Sequence, residues 1–197
     1  MSTNYAKAET LVGTLAAPLD WTRSAALVVG FSLLTALAAQ VVVPLPWTPV
    51  PLTGQTFAVL LTGALLGSRM GALAMIAYLA EGALGLPFFR GGAGGAAHLL
   101  GPTAGYLVSF PIIAALVGVL AERGWSGNRI VRSFIAHLSA NILCLAIGGA
   151  WLAALIGAEK GWLLGVAPFI LGAVLKSALA AAVLKTIQVY SGKARLN

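Results

Sequence analysis

One lysine near the middle of a long apolar run is the residue of this chain best suited to chemistry. Lys176 has no acidic residue within a turn or two of it in the sequence. An ionised side chain inside a membrane costs on the order of 3 kcal/mol, so such residues are retained where they have a function. Lys176 is therefore predicted to face a cavity and bind an anionic ligand group. The alternatives are a lysine that reaches towards the membrane surface, or one paired with a polar group of the bundle.

Other polar side chains in apolar segments are candidates for the same site. Glu81 is the single acid of its apolar stretch, where it either accepts N–H groups of a ligand or pairs with Arg90 or Lys176. Arg90 stands in a loop between two apolar stretches, where it either binds a carboxylate or is a solvated charge. Neutral residues that could hydrogen-bond a ligand amide, or equally join two helices, are Gln55, Tyr78 and Asn141.

Segment 85–101 cannot form a regular helix. It holds five glycines from Gly91 to Gly101 and begins with the pair Phe88 and Phe89 after a proline. At membrane depth such a backbone must be buried in protein or line a cavity. The phenylalanines are candidates for the apolar wall of a pocket, although packing alone also explains them.

Signatures of catalysis are incomplete in this chain. The glycine run lacks the lysine and hydroxyl residue of a phosphate-binding loop, so ATP hydrolysis by that route is excluded. His137 and Asn141 share one helical face at i, i+4, a spacing also found in rhomboid intramembrane proteases. Without a recognised nucleophile motif, His137 is interpreted as a polar residue at the membrane interface. His98 and Cys144 have no partners at metal-ligand spacing and are interpreted as structural.

The composition places these residues in an integral membrane protein. Only 9% of the 197 residues are charged and 59% are hydrophobic, whereas a soluble domain carries about 25% charged residues. So few charges cannot cover the apolar surface of a soluble fold, and disordered chains are poor in apolar residues. The single cysteine excludes a disulfide scaffold. The length suits one domain of about six spans of roughly 20 residues each.

Six apolar segments are predicted to cross the membrane in an all-α bundle. Four prolines keep segment 44–52 out of a helix, and Gly67-Ser68-Arg69 is predicted to form a turn between two short spans. Short, interrupted segments of this kind point to a nearby binding site. The predicted spans are 24–43, 53–67, 70–86, 102–121, 131–156 and 162–188, within a membrane domain 24–190 between tails 1–23 and 191–197.

The distribution of basic residues predicts the orientation. With six spans, nine of the twelve Lys and Arg residues fall on the face that holds both termini, whereas the other face has Arg90 and Lys160. The positive-inside rule then places both termini in the cytoplasm. This also explains the net charge of +7 without a nucleic-acid partner. Loops 44–52, 85–101 and 157–161 are predicted to lie outside, which favours an external ligand.

Three runs of residues between 49 and 107 carry the pattern of a known family. They are Pro49-Val50-Pro51-Leu52-Thr53-Gly54-Gln55-Thr56, then Tyr78-Leu79-Ala80-Glu81-Gly82 with Gly85-Leu86-Pro87-Phe88-Phe89, and finally Gly91-Gly92-Ala93-Gly94-Gly95 with Gly101-Pro102-Thr103-Ala104-Gly105-Tyr106-Leu107. Together they closely resemble the BioY family, the biotin-binding S components of energy-coupling factor (ECF) transporters. The resemblance extends over about residues 25–190.

The resemblance implies a function in biotin uptake and no enzymatic activity. Biotin would be captured as cargo, not as a cofactor, in an extracytoplasmic pocket capped by loop 44–52, and no metal is implied. A transmembrane coupling protein with two ATPase subunits would be the partner. Lys176, with Arg90, would bind the biotin carboxylate. The ureido group would pair with Glu81, Asn141 or Gln55, and the rings would be enclosed by Phe88, Phe89 and the backbone at Gly92 and Gly94. Tyr78 is a further candidate to hydrogen-bond the ligand.

One position departs from the family pattern. Many relatives read Gly-Asp-x-x-Lys in the sixth helix, whereas this chain has Ala173 in place of the acid before Lys176. Glu81 is one candidate to replace that acid. Alternative functions that stay open are transport of another small anionic vitamin, an intramembrane enzyme, and a scaffold subunit without a ligand.

Overall fold

The computed structural model describes the backbone of residues 20–194 and the side chains of residues 20–190. The predicted tail 1–23 therefore lies mostly outside the described residues. The described helices are α1 (Trp21–Ala39), α2 (Gln55–Ala83), α3 (Ala104–Glu122), α4 (Ile130–Ile156), α5 (Ala158–Gly165) and α6 (Ile170–Ala194). Two short strands, β1 (Val42–Val43) and β2 (Leu52–Thr53), and three 3-10 turns, Arg90–Gly92, Ala96–Leu99 and Ala167–Phe169, complete the fold.

Helix α2 is folded back on itself at Gly67, which divides it into two arms. Gly67 has φ 80° and ψ −179°, a conformation that favours glycine because it has no Cβ. Gln55 Nε2 lies 2.6 Å from the Tyr78 hydroxyl, although 23 residues of straight helix would separate them by about 34 Å. The arms 55–66 and 68–83 are therefore antiparallel, as the predicted turn requires.

The number of spans follows from this fold. By length and composition, five helical segments of the described chain could cross a membrane, namely α1, α2, α3, α4 and the segment Ala158–Tyr190. Because α2 contributes two arms, the bundle has the six crossings that the sequence predicts. The all-α membrane architecture is thereby confirmed.

The turn at Gly67 is held by an acid from the neighbouring helix. Glu122, at the end of α3, accepts hydrogen bonds from the Ser68 backbone N–H at 2.7 Å and from the Ser68 hydroxyl at 3.0 Å. The carboxylate thus satisfies one of the free N–H groups at the start of the second arm.

Glycines allow the central helices to approach at backbone distance. A Cβ on Gly63 of α2 would clash with the Ala114 backbone of α3, and a Cβ on Gly105 of α3 would clash with the Trp151 side chain of α4. Small residues at helix contacts let van der Waals packing stabilise a bundle where lipid removes most of the hydrophobic driving force. Fully buried residues at its centre are Leu60, Met75, Phe110, Ile113 and Val117.

Three predicted boundaries differ from the ends of the described helices. The first span ends at Ala39 instead of residue 43, because the chain then enters β1. The sixth begins at Ile170 instead of residue 162, because a 3-10 turn containing Pro168 separates α5 from α6. Proline removes a backbone donor, so it interrupts the helix there. At the other end, α6 continues to Ala194, into the segment assigned to a C-terminal tail.

Two irregular loops meet at one end of the bundle. The antiparallel pairs Val42 with Thr53 and Val43 with Leu52 close the proline loop 44–51. The Thr48 hydroxyl then donates a 2.6 Å hydrogen bond to the Leu164 carbonyl of α5. The glycine loop 85–101 is fastened to the end of α2, where the Gly95 N–H donates to the Gly82 carbonyl at 2.7 Å. These bonds satisfy backbone groups that would otherwise be exposed at membrane depth.

Candidate functional site

A cavity opens between the two loops and the ends of four helices. Its empty space is about 740 Å³ when the open mouth is included. The first turn of α2 and helices α3, α4 and α6 form its walls, and residues 50–53 and the glycine loop cover it. Its larger apolar residues are Val50, Leu52, Phe89, Leu107, Phe110 and Phe169.

Half of the ten predicted site residues line this cavity. They come from four separate parts of the chain, which only the fold brings together. The lining members are Lys176, Asn141, Gln55, Arg90 and Phe89. The other five, described below, lie behind the wall or elsewhere.

Lys176 is half-buried, and both of its described hydrogen bonds go to uncharged oxygen atoms. Its Nζ donates to the Thr53 backbone carbonyl at 2.6 Å and to the Thr56 hydroxyl at 2.8 Å. An ammonium group has three donors, so one remains for a ligand. These contacts orient the cation without neutralising its charge.

The described lining of the cavity contains basic groups and no Asp or Glu. These basic groups are the side chains of Arg90, His98 and Lys176. Helix α6 places the small Ala173 in the same wall. A cavity of this kind favours an anion, because charges act more strongly where water is partly excluded.

Asn141 presents an unused acceptor. Its side chain is 3% exposed, and its Nδ2 donates to the Ala173 carbonyl at 3.2 Å and to the Ser177 hydroxyl at 2.8 Å. Both amide hydrogens are thereby engaged. The Oδ1 atom is left to accept a donor from a ligand.

Gln55 belongs to a relay that fixes the cover of the cavity. Its Oε1 accepts from the Thr53 hydroxyl at 2.9 Å, and its Nε2 donates to the Tyr78 hydroxyl at 2.6 Å. Tyr78 in turn donates to the Phe88 carbonyl at 3.0 Å, and the Tyr78 and Phe88 rings are stacked at 6.5 Å. The relay joins the proline loop, both arms of α2 and the glycine loop. Tyr78 and Phe88 therefore position Gln55 and the loop from behind the wall.

Glu81 and two predicted glycines lie away from the cavity. Glu81 accepts a hydrogen bond from the buried hydroxyl of Ser32, which ties α2 to α1. Gly92 is exposed with φ 78°, so its role is in shaping the turn. A Cβ on Gly94 would lie 2.8 Å from the Gly85 carbonyl, so this glycine permits the loop to pack on itself.

Sequence reasoning missed several lining residues. Thr53, Thr56 and Tyr106 belong to runs that carry the family resemblance, which was a usable signal. His98, interpreted as structural, also lines the cavity. Cys144 lines it as well and accepts a 3.3 Å hydrogen bond from Ser109.

A serine and histidine pair for hydrolysis is not formed in the described structure. The run Gly124-Trp125-Ser126-Gly127 does have the Gly-x-Ser-Gly pattern of a nucleophile, which sequence reasoning overlooked. However, the His137 Nδ1 is bonded to the Ser133 carbonyl at 2.5 Å, and its Nε2 has no partner. His137 is also 1% exposed, so it is buried inside the bundle.

Comparisons with known proteins agree on one family. The sequence model of the BioY family matches residues 5–192. A probable biotin transporter BioY of Pyrococcus horikoshii is 39% identical over 166 residues, which cover 84% of this chain and 96% of the relative. The biotin transporter BioY of Rhizobium etli is 37% identical over 172 residues, which cover 79% and 91%. A crystal structure of the S-component for biotin from an ECF-type ABC transporter matches with a TM-score of 0.75 at 25% identity, covering 85% of this chain and 91% of that one.

Proposed function

The chain belongs to the BioY family, and we propose that its cavity captures biotin for uptake across the membrane. It is a multi-pass membrane transporter subunit and not an enzyme, in line with the names of its relatives. Biotin is its cargo. The observation that carries this function is a largely apolar cavity that combines basic side chains with one buried, unused amide acceptor.

The chemistry of biotin matches that combination. Its fused rings and valeryl chain are apolar, its ureido group offers two N–H donors and a carbonyl, and it ends in a carboxylate. Small-molecule sites typically combine an apolar lining with a few convergent polar groups. Each polar part of biotin has a counterpart in the cavity.

The geometry supports a division of roles among the lining residues. The carboxylate accepts hydrogen bonds from the free donor of Lys176 and from Arg90. A ureido N–H donates to Asn141 Oδ1, and Phe89 and Phe110 enclose the rings. Many relatives have an acid at the position of Ala173, and in this chain Asn141 supplies the acceptor in its place. Glu81 is not required in this role, since it binds Ser32 on α1.

The orientation and partners follow from charge and family. Both termini lie in the cytoplasm and the cavity faces outward, because Arg69 and Arg123 stand near the Gly67 turn at the far end of the bundle. The partners are a transmembrane coupling protein and two ATPase subunits, since the chain holds no phosphate-binding loop of its own.

A binding titration tests this function. Purified protein in detergent is titrated with biotin, with dethiobiotin, riboflavin and thiamine as comparison ligands. We expect saturable binding of about one biotin per chain and far weaker binding of riboflavin and thiamine. Folded protein that does not bind biotin would contradict the proposal. Tighter binding of another anionic vitamin would replace biotin with that ligand.

A further inference from the structure

His98 occupies a defined position in the cavity wall. It lies in the 3-10 turn Ala96–Leu99, which packs against α2 and α3. Its half-buried ring makes an edge contact with the Phe89 ring, with centroids 5.9 Å apart and planes at 60°. Phe89 is itself 1% exposed and therefore fixed. The imidazole is thus held at the cavity by an aromatic contact that leaves both of its nitrogens available to a ligand.

The polar groups that line the cavity with His98 are mostly basic or neutral. Arg90 in the preceding turn and Lys176 of α6 line the same cavity, together with the phenol of Tyr106 from α3 and the thiol of Cys144 from α4. Tyr78 of α2 lies behind Phe89, which its ring contacts edge-on. The one acid of α2, Glu81, accepts a hydrogen bond from Ser32 instead.

We propose that His98 is a further ligand-binding residue, which donates a hydrogen bond to the biotin carboxylate when protonated and so makes capture stronger at lower pH. The proposal rests on the proposed function, because it needs an anionic ligand in this cavity. It adds a third basic group to Lys176 and Arg90 in the lining of the cavity.

The sign of the effect follows from the chemistry of the two partners. An imidazole takes up a proton between about pH 8 and pH 5, whereas a carboxylic acid ordinarily ionises near pH 4. Biotin therefore stays anionic over the range in which the histidine becomes a cation. Phenols and thiols ordinarily remain neutral below about pH 8. Binding should strengthen as the pH falls, and the change should require both the imidazole and the carboxylate.

The test compares two ligands on two proteins. The dissociation constant is measured at about pH 5.5 and about pH 7 for biotin and for its neutral methyl ester. We expect the wild type to bind biotin about 3- to 10-fold more tightly at the lower pH, as for a partly exposed charge-assisted contact. His98→Gln should lose this ratio, and the ester should show no such ratio with either protein.

A second variant keeps the test decisive if His98→Gln is poorly folded. His98→Lys carries a charge at both pH values, so it should bind biotin with similar affinity at both. A pH ratio that persists in His98→Gln, or that appears equally with the ester, would overturn the role of His98. Wild type that is folded but binds no biotin at either pH would instead refute the proposed function, which is a distinguishable result.

Discussion

Lys176 of α6 donates a 2.6 Å hydrogen bond to the backbone carbonyl of Thr53, a residue of β2 that lies 123 positions earlier in the chain. The hydroxyl of the same threonine donates to Gln55 at the start of α2. The cation in the cavity and the strand that closes the proline loop are therefore bonded to each other. A substitution at either residue should therefore alter both the position of the cation and the packing of the loop that covers the cavity.

Replacing Lys176 should weaken biotin binding more than any other change at a single basic residue. Lys176→Met keeps the apolar stem and removes the charge. We expect the dissociation constant to rise about 10- to 100-fold, because a hydrogen bond to a charged group is lost. Isothermal titration of the purified variant measures this. Lys185→Met is a matched control, because Lys185 is exposed on the same helix. Wild-type affinity in Lys176→Met would refute the role of the cation.

Replacing Asn141 should leave the ureido group of biotin without its acceptor. Asn141→Leu preserves the approximate volume, and we expect about 10-fold weaker binding in the same titration. Ser177→Ala serves as the control, since it removes a partner of the Asn141 amide but leaves Oδ1 in place. It should change the affinity by less than about 3-fold. Equal losses in the two variants would mean that Asn141 acts through helix packing and does not contact biotin.

The bond between Thr48 and Leu164 should slow the escape of biotin. Thr48→Val removes the hydroxyl that joins the proline loop to α5, so the loop should open more often. We expect the dissociation rate, followed by chasing labelled biotin with unlabelled biotin, to rise about 3- to 10-fold. Thr186→Val is the control, because its exposed hydroxyl bonds only to the Ala182 carbonyl of its own helix. An unchanged rate in Thr48→Val would show that this bond does not hold the loop.

The fold of α2 at Gly67 should tolerate no side chain. Gly67→Ala places a Cβ at positive φ and 2.6 Å from the Glu122 carboxylate. We expect the variant to lose about 1–3 kcal/mol of stability and to melt at a lower temperature in detergent. Gly30→Ala is the matched control, because a Cβ there would meet no atom within 4 Å. A Gly67→Ala protein as stable as Gly30→Ala would contradict the strained turn.

Features that depend on local chemistry could be predicted from the sequence. The turn at Gly67 follows from a glycine between two apolar runs, and the non-helical loop 44–51 follows from its prolines. Lys176 and Asn141 could be identified because a charged or amide side chain in an apolar helix needs a partner. Both do line the cavity.

Features that depend on distant partners could not be predicted. Glu81 is bonded to Ser32, 49 positions away, and nothing in either segment specifies that pairing. His98 has no neighbour at a diagnostic spacing, and it reaches the cavity only because the glycine loop folds over it. The break before α6 was missed because the residues directly on both sides of Pro168 are apolar.

The first arm of α2 is short for a membrane crossing. Residues 55–66 of a helix measure about 18 Å, whereas the hydrocarbon core of a bilayer is about 30 Å thick. An arm of this length is too short to span that layer by itself, so the chain between α1 and α2, with its strand pair and proline loop, contributes the rest of this crossing. A ligand bound beside Gln55 would therefore lie below the loops, inside the bundle and not at its outer surface.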